Sequence, residues 1–340
     1  MNRRQFIVTL PALVTARSIL AAAGAEKSRL GICTFSCHQR WKLTKPLDAA
    51  GFYRYARELG AEGVQSPLRG CEPKTIRDLV EQTGGYYEGE LRLPKDETEL
   101  AAFEAEVRQT REAGATVARA VFTNGRRYEA FQSLDAFQAF HEHAKRTLAL
   151  IEPVLRKHQL KLAIENHKDH TTEELVGMMK AISSEWIGVL VDTGNNLALL
   201  EEPHGVIEAL APFALSVHLK DMAVQSDADG FLLSEVPLGT GFLDLQRMIT
   251  TLRKANSAIV TNLEMATRDP LRIPCLTEAF FATMPGRKAT HLDAAMQRVK
   301  QNPPKAPVPV VSGKPNEQIL AKEEQHNRHG LAWMQKKLRA

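Results

Sequence analysis

An α/β (β/α)₈ TIM barrel followed by a C-terminal extension is the fold that this 340-residue sequence predicts. Short apolar runs alternate with longer amphipathic stretches, the pattern of repeated βα units. Eight such units occupy about 260 residues, the usual size of such a barrel. No glycine fingerprint follows the first strand, which disfavours the doubly wound open sheet.

The strands are expected at 29–36, 61–66, 84–92, 116–123, 160–166, 187–193, 214–221 and 258–265. Between them, 97–113, 134–157 and 172–183 have helical spacing, with acids near their starts and Gly or Lys/Arg near their ends. After Met284 the alternation stops. Pro303-Pro304-Lys305-Ala306-Pro307-Val308-Pro309 predicts an extended connector. A polar helix from Asn316 to Leu338 is expected next. It either packs through Leu331, Met334 and Leu338 on the barrel or on a second subunit of a homo-oligomer, or it is a solvated tail. The divisions are therefore 1–25, 26–285 and 286–340.

Residues 1–25 carry three Arg and no acid. Asn2-Arg3-Arg4-Gln5-Phe6-Ile7 resembles the twin-arginine export motif, and it is followed by an apolar run from Phe6 to Leu20 and by Ala23-Gly24-Ala25. Pro11 and Arg17 interrupt a run already shorter than the ~20 residues of a membrane span. The expectation is a signal peptide cleaved after Ala25, a periplasmic destination and no stable membrane span in the mature protein. Residues 26–285 hold 30 basic and 36 acidic residues, which argues against a nucleic-acid surface because polyanion binding draws on phosphate neutralisation. The extension is basic, with eleven Lys or Arg against four acids. Cys33 and Cys37, four residues apart on one strand, would lie on the order of 13 Å apart, too far to bridge. The four cysteines read as buried free thiols.

The chemistry lies at the ends of the last four strands. Side chains alternate along a strand, so Leu162 and Ile164 oppose Ala163, Glu165 and His167, and Ile187, Val189 and Val191 oppose Gly188, Leu190 and Asp192. The same parity sets Leu215, Val217 and Leu219 against Ser216, His218 and Lys220, and Ile259 and Leu263 against Val260, Asn262 and Glu264. With the bulky apolar face toward the helices, Glu165, Asp192, His218 and Glu264 converge on the inner mouth, where barrel active sites sit. Singly, each has a plainer role: cap partner, turn former, core histidine, surface acid. Jointly, three carboxylates and an imidazole would cost on the order of several kcal/mol per buried charge if left unpaired. A divalent cation resolves this. Carboxylate-rich ligation with one His favours Mn²⁺, with Mg²⁺, Co²⁺ and Zn²⁺ as competitors.

Residues 29–285 resemble the xylose-isomerase-like barrel superfamily of sugar phosphate isomerases, tagatose-type epimerases and endonuclease-IV-like proteins. The marks are Ile-Glu-Asn-His at 164–167, Val-Asp-Thr-Gly-Asn at 191–195, Val-His-Leu-Lys-Asp at 217–221, Pro-Leu-Gly-Thr-Gly-Phe-Leu-Asp at 237–244 and Asn-Leu-Glu at 262–264. The resemblance implies that Glu165, Asp192, His218 and Glu264 are the metal ligands. Gly239-Thr240-Gly241 is expected as a loop over the pocket.

Metal-assisted isomerisation or epimerisation of a sugar or keto-sugar follows, with Glu165 and Glu264 as the acid–base pair that removes and returns a proton beside a carbonyl. His167 and Lys220 share the inward parity and are assigned to substrate oxygens, with an ion pair to a nearby acid as the alternative for Lys220. His38 and Trp41 after the first strand and Gln65 at the end of the second sit where a sugar would be contacted. Arg126 and Arg127 follow the fourth strand and either meet a phosphate or carboxylate or, as paired arginines in a loop usually are, are solvated. A 3-keto-glycoside lyase or hydratase using the same metal and base is the alternative activity. A non-catalytic carbohydrate-binding barrel is weaker, because the set of ligands and acid–base residues is complete. An endonuclease-IV-like enzyme would need extra histidines, one of them where this chain has Asn195.

Replacing Arg3 and Arg4 with Lys is expected to hold the protein in the cytoplasm, because the export machinery reads the guanidinium pair rather than charge alone. Cell fractionation checks this, and unchanged periplasmic accumulation refutes it.

Overall fold

Eight short parallel strands close on themselves in the computed structural model, which describes residues 29–339. The paired arginines, the apolar run and the cleavage position lie outside the described residues. The barrel strands are β1 (Leu30–Cys33), β2 (Gly63–Ser66), β3 (Tyr86–Glu90), β4 (Val117–Ala120), β5 (Lys161–Glu165), β6 (Ile187–Asp192) and β7 (Ala214–Leu219), with the eighth named β10 (Val260–Leu263) because two strands intervene. β10 pairs with both β7 and β1 and closes the ring. All eight predicted runs contain strands, and each strand is shorter than expected. The first ends at Cys33, where Thr34–Cys37 curls into a 3₁₀ turn, so Cys37 is not on a strand. All four cysteines are nonetheless free, three of them buried and Cys71 half-buried.

Small inward residues low in the barrel make room for large ones. A Cβ on Gly31 would lie 2.0 Å from Tyr86 Oη, and one on Gly63 would lie 2.3 Å from the Tyr86 carbonyl oxygen. Tyr86 fills that space and donates to Asn262 Oδ1 at 2.7 Å. The next inward layer is polar. Glu88 accepts from Gln65 Nε2 at 2.9 Å and from Ser216 Oγ and Asn262 Nδ2 at 2.8 Å each. Ser216 and Asn262 thus face inward, as the alternation required.

Two features were not anticipated. β8 (Asp221–Asp227) and β9 (Gly230–Val236) form an antiparallel hairpin, joined at its edge by β11 (Leu271–Ile273). Its apolar face, with Val224, Phe231, Leu233 and Ile273, packs with Phe280 and with Ala295 and Val299 of a helix, Arg287–Gln301, also absent from the sequence reading. The connector that follows is irregular and runs into the expected helix, Asn316–Leu338. Leu331, Met334 and Leu338 are buried in the barrel's main core, so this helix is part of the barrel's covering rather than a solvated tail. No helix among the described residues is long and apolar enough to cross a membrane.

Gly63→Ala is expected to lower stability by about 1–3 kcal/mol, because the methyl meets backbone that has no room to give. The midpoint of urea unfolding measures it.

Candidate metal centre

Four neighbouring strands, β5, β6, β7 and β10, deliver Glu165, Asp192, His218 and Glu264 to one end of the barrel. Asp192 and Asn262 stand on either side of His218 in the strand register. All four functional groups offer ligand atoms within 4.8 Å of one another, and all four residues are buried. Cys33 lies within the same distance of His218 and Glu264.

Each of the four residues is held by a neighbour. Asp192 Oδ1 accepts from the backbone N–H groups of Gly194 (2.9 Å) and Asn195 (2.7 Å), the local turn expected of Asp-Thr-Gly-Asn. Asn166 ties β5 to β6, accepting from Asp192 N at 2.7 Å and donating to Asp192 O at 3.0 Å. Asn195 donates to Glu165 Oε1 at 2.9 Å, and Arg119 Nε donates to Glu165 Oε2 at 2.6 Å. His218 Nε2 lies 2.7 Å from Gln65 Oε1, whose amide nitrogen is already committed to Glu88. Gln65 therefore presents an acceptor, His218 Nε2 carries the proton, and Nδ1 faces the carboxylates of Glu264 and Glu165.

The fit to a cation follows from which atoms remain. His218 Nδ1 and Asp192 Oδ2 are buried without a hydrogen-bond partner. Asp192 Oδ2 lies 2.9 Å from Lys220 Nζ, in ion-pair range but off hydrogen-bond alignment. An imidazole nitrogen and three carboxylates aimed at one point suit a divalent ion. The ion need not balance the whole charge, because the protein supplies part of it, with Lys220 paired to acids as its alternative role required. Lys220 Nζ is 2.8 Å from Glu264 Oε1 and 3.6 Å from Glu235, and Arg119 bridges Glu165 and Glu90. Burial alone would raise Glu165 and Glu264, but Arg119 and His218 bring Glu165 down to about 2, and Lys220 and His218 hold Glu264 well below the usual carboxylate range. Burial wins at Asp192, which rises to about 6 despite Lys220. Burial likewise opposes charge on His218, yet Glu264, Cys33 and Glu165 raise it well above the ordinary imidazole value.

A cavity of about 450 Å³ opens beside the centre, with His218 and Glu264 on its floor. His38, Trp41, Gln65 and His167 all line it. His38 stacks on Phe35 with ring centroids 5.1 Å apart. Trp41 also packs against Phe52, with ring centroids 6.0 Å apart. Gln65 shows the cavity its flank, since its polar atoms serve His218 and Glu88. His167 Nδ1 is buried without a partner, and burial, aided by Lys168, brings the ring down to about 4, so it is neutral. Lys220 is off the cavity wall, behind the carboxylates, paired with acids.

The loop 237–244 does not line the cavity. It wraps Asp221, whose carboxylate accepts from Met222, Gly239 and Gly241 N–H at 2.9 Å each. It buttresses the end of the seventh barrel strand instead. Arg127 is buried rather than solvated, donating to Glu174 at 2.6 Å, while Arg126 is on the cavity wall. The residues that sequence reasoning missed are Arg119, Glu90, Lys168, Glu235 and Arg268. For Arg119 a signal existed, a lone charge in the apolar run Val117–Ala120. Glu235 belongs to the unrecognised hairpin, whose mark was Asp229-Gly230.

The family pattern described as xylose isomerase-like TIM barrel matches residues 53–290. The chain belongs to that family. Among curated proteins, the 3-oxo-isoapionate decarboxylase of Pectobacterium atrosepticum is 33% identical over 114 residues, 33% of this chain and 42% of that protein. The chain thus matches about two fifths of that relative's length. Among solved structures, a D-psicose 3-epimerase aligns over 92% of this chain and 100% of its own, with a TM-score of 0.56 and 13% identity. The IOLI protein with a zinc atom aligns over 80% of this chain and 95% of its own, with a TM-score of 0.52 and 12% identity. These likenesses are of fold.

His218→Ala is expected to lower metal occupancy while the fold survives. Gln65→Leu is expected to weaken metal affinity by about 10–100-fold, because it removes the acceptor that orients the ring. Elemental analysis and metal titration, alongside circular dichroism, check both; full occupancy in well-folded His218→Ala refutes the assignment.

Proposed function

We propose that this chain is a divalent-metal-dependent enzyme that isomerises or epimerises a sugar or keto-sugar by moving a proton beside a carbonyl. The observation that carries the reading is the pair of ionised glutamates, Glu165 and Glu264, within one four-ligand centre at the floor of a cavity. A bound divalent ion supplies Lewis-acid stabilisation of negative charge on adjacent carbonyl and hydroxyl oxygens. Mn²⁺ suits the carboxylate-rich set, and a zinc-bearing relative of the same fold keeps Zn²⁺ among the competitors.

Glu264 lines the cavity and is the group positioned to take the substrate proton. Glu165 stands three strands along the ring, held by Arg119 and Asn195; ionised at rest, it delivers a proton to the other side only after taking one from water, while Glu264 releases the proton it took to solvent. Return to the opposite face of the same carbon gives epimerisation, and return to the neighbouring carbon gives isomerisation. His167, neutral with an unpartnered Nδ1, offers a hydrogen bond to a substrate hydroxyl, and His38 and Trp41 supply the wall. Lys220 acts through the carboxylates it pairs with. The epimerase among the fold relatives supports a carbohydrate substrate.

A lyase reading is favoured by one observation, the name of the curated relative as a decarboxylase. Loss of carbon dioxide and loss of a proton beside a ketone leave the same enolate, so the same residues serve either. β-Elimination from a 3-keto-glycoside belongs to this reading too.

Glu264→Gln and Glu165→Gln keep size and one ligand oxygen but remove the basic carboxylate. Turnover is expected to fall by about 10²–10⁴-fold, with substrate binding weakened modestly. The assay incubates the metal-loaded protein with a panel of ketoses and 3-keto-glycosides in deuterium oxide and follows label at the carbon beside the carbonyl. Near-native turnover in both variants would refute the acid–base assignment.

A further inference from the structure

Lys168 is the one cation of the cavity wall whose burial has no explanation in the centre itself. It is only 5% exposed, and its backbone is left-handed, with φ +75°. For a residue other than glycine that conformation costs about 1–2 kcal/mol, and such strain concentrates at binding and catalytic sites. The backbone is pinned there by Arg127 N, which donates to Lys168 O at 3.0 Å.

The ammonium feels Asp192 and Glu235 only at a distance. Its hydrogen-bond partner is the neutral Asn195 Oδ1, and among the described residues it makes no ion pair. The acids around it are claimed by other cations. Lys220 takes Asp192 and Glu264, Arg268 takes Glu235 at 2.7 Å, and Arg119 takes Glu90 and Glu165. A buried ammonium without a counter-charge is costly. Burial first, then Lys220 and Arg268, bring it down to about 8, while Asp192 and Glu235 act the other way. Lys168 opens onto the cavity, where Arg126 and Arg268 also stand on the wall.

We propose that Lys168 reads a carboxylate on the substrate, which makes the substrate class a keto-sugar acid rather than a neutral sugar. The inference rests on the keto-sugar reading above and narrows it. A carboxylate supplies the missing counter-charge while its sugar oxygens reach the centre from the same cavity. Arg126, paired with the exposed Glu129, is placed to share the anion.

The test uses matched ligands that differ only in the acid group: 2-keto-D-gluconate against D-fructose, and 5-keto-D-gluconate against L-sorbose. Fructose 6-phosphate serves as the phosphate arm. Calorimetric titration of the metal-loaded protein is expected to give at least a tenfold preference for the keto-acid in one matched pair. Lys168→Gln is expected to collapse that preference at least tenfold, and Lys168→Arg, which keeps the charge, to restore part of it. Metal content and melting temperature are measured for each variant. If Lys168→Gln fails to fold, the preference of the native protein and the behaviour of Lys168→Arg decide. No preference for the acid, whether both members bind alike or neither binds, overturns the proposal. So does a preference kept intact in Lys168→Gln, or tighter binding of fructose 6-phosphate than of either keto-acid. Failure of the acid–base reading registers separately, as absent deuterium exchange in a protein that still selects the acid.

Discussion

The compensation of three buried carboxylates at the barrel mouth is the constraint on which the rest of the site depends. Glu165, Asp192 and Glu264 converge with His218 within 4.8 Å, where like charges repel strongly. Lys220 answers Asp192 and Glu264 from behind, and Arg119 answers Glu165 from the side. This partial neutralisation leaves the centre anionic enough for a dication yet tolerable in the folded chain. It also separates the three acids chemically, with Glu165 and Glu264 held low and Asp192 raised by burial.

Beneath the charged layer, neutral polar groups set the geometry. Glu88 gathers Gln65, Ser216 and Asn262, and Gln65 passes that order to His218. Asn166 and Asn195 do the same across β5 and β6. Such networks are rigid when their members are satisfied, and this one fixes a tautomer and an oxygen orientation rather than adding much net stability. Asn195 has a double position, touching Glu165 on one side and Lys168 on the other. It links the centre to the wall that would read the substrate's charge.

The far end of the chain completes that wall. Glu323 accepts from the backbone N–H of Gln39 (2.6 Å) and Arg40 (3.0 Å), a carboxylate at the start of the short helix His38–Leu43. Asn327 donates to Ser36 O at 2.9 Å. The segment bearing His38 and Trp41 is thereby clamped by residues about 290 positions later in sequence. The C-terminal helix is therefore part of the cavity's architecture, and its apolar stripe is spent on the barrel core.

The sequence by itself determined the eight strands, the inward parity of Glu165, Asp192, His218 and Glu264, and the span of the terminal helix. These follow from periods of two and 3.6 residues, which are local and survive without knowledge of neighbours. Tertiary structure alone decided what those residues meet. Periodicity placed Lys220 on the inner face but not behind three acids, and Gln65 near the mouth but not under an imidazole. The hairpin carrying Glu235 lies between two barrel strands, where the alternation of βα units leads to the expectation of a helix rather than of further strands. Lys168 follows a strand end with no period to report its direction. Its left-handed turn and its missing counter-charge exist only once Arg268, Lys220 and their acids, 24 to 100 residues away in sequence, have folded around it.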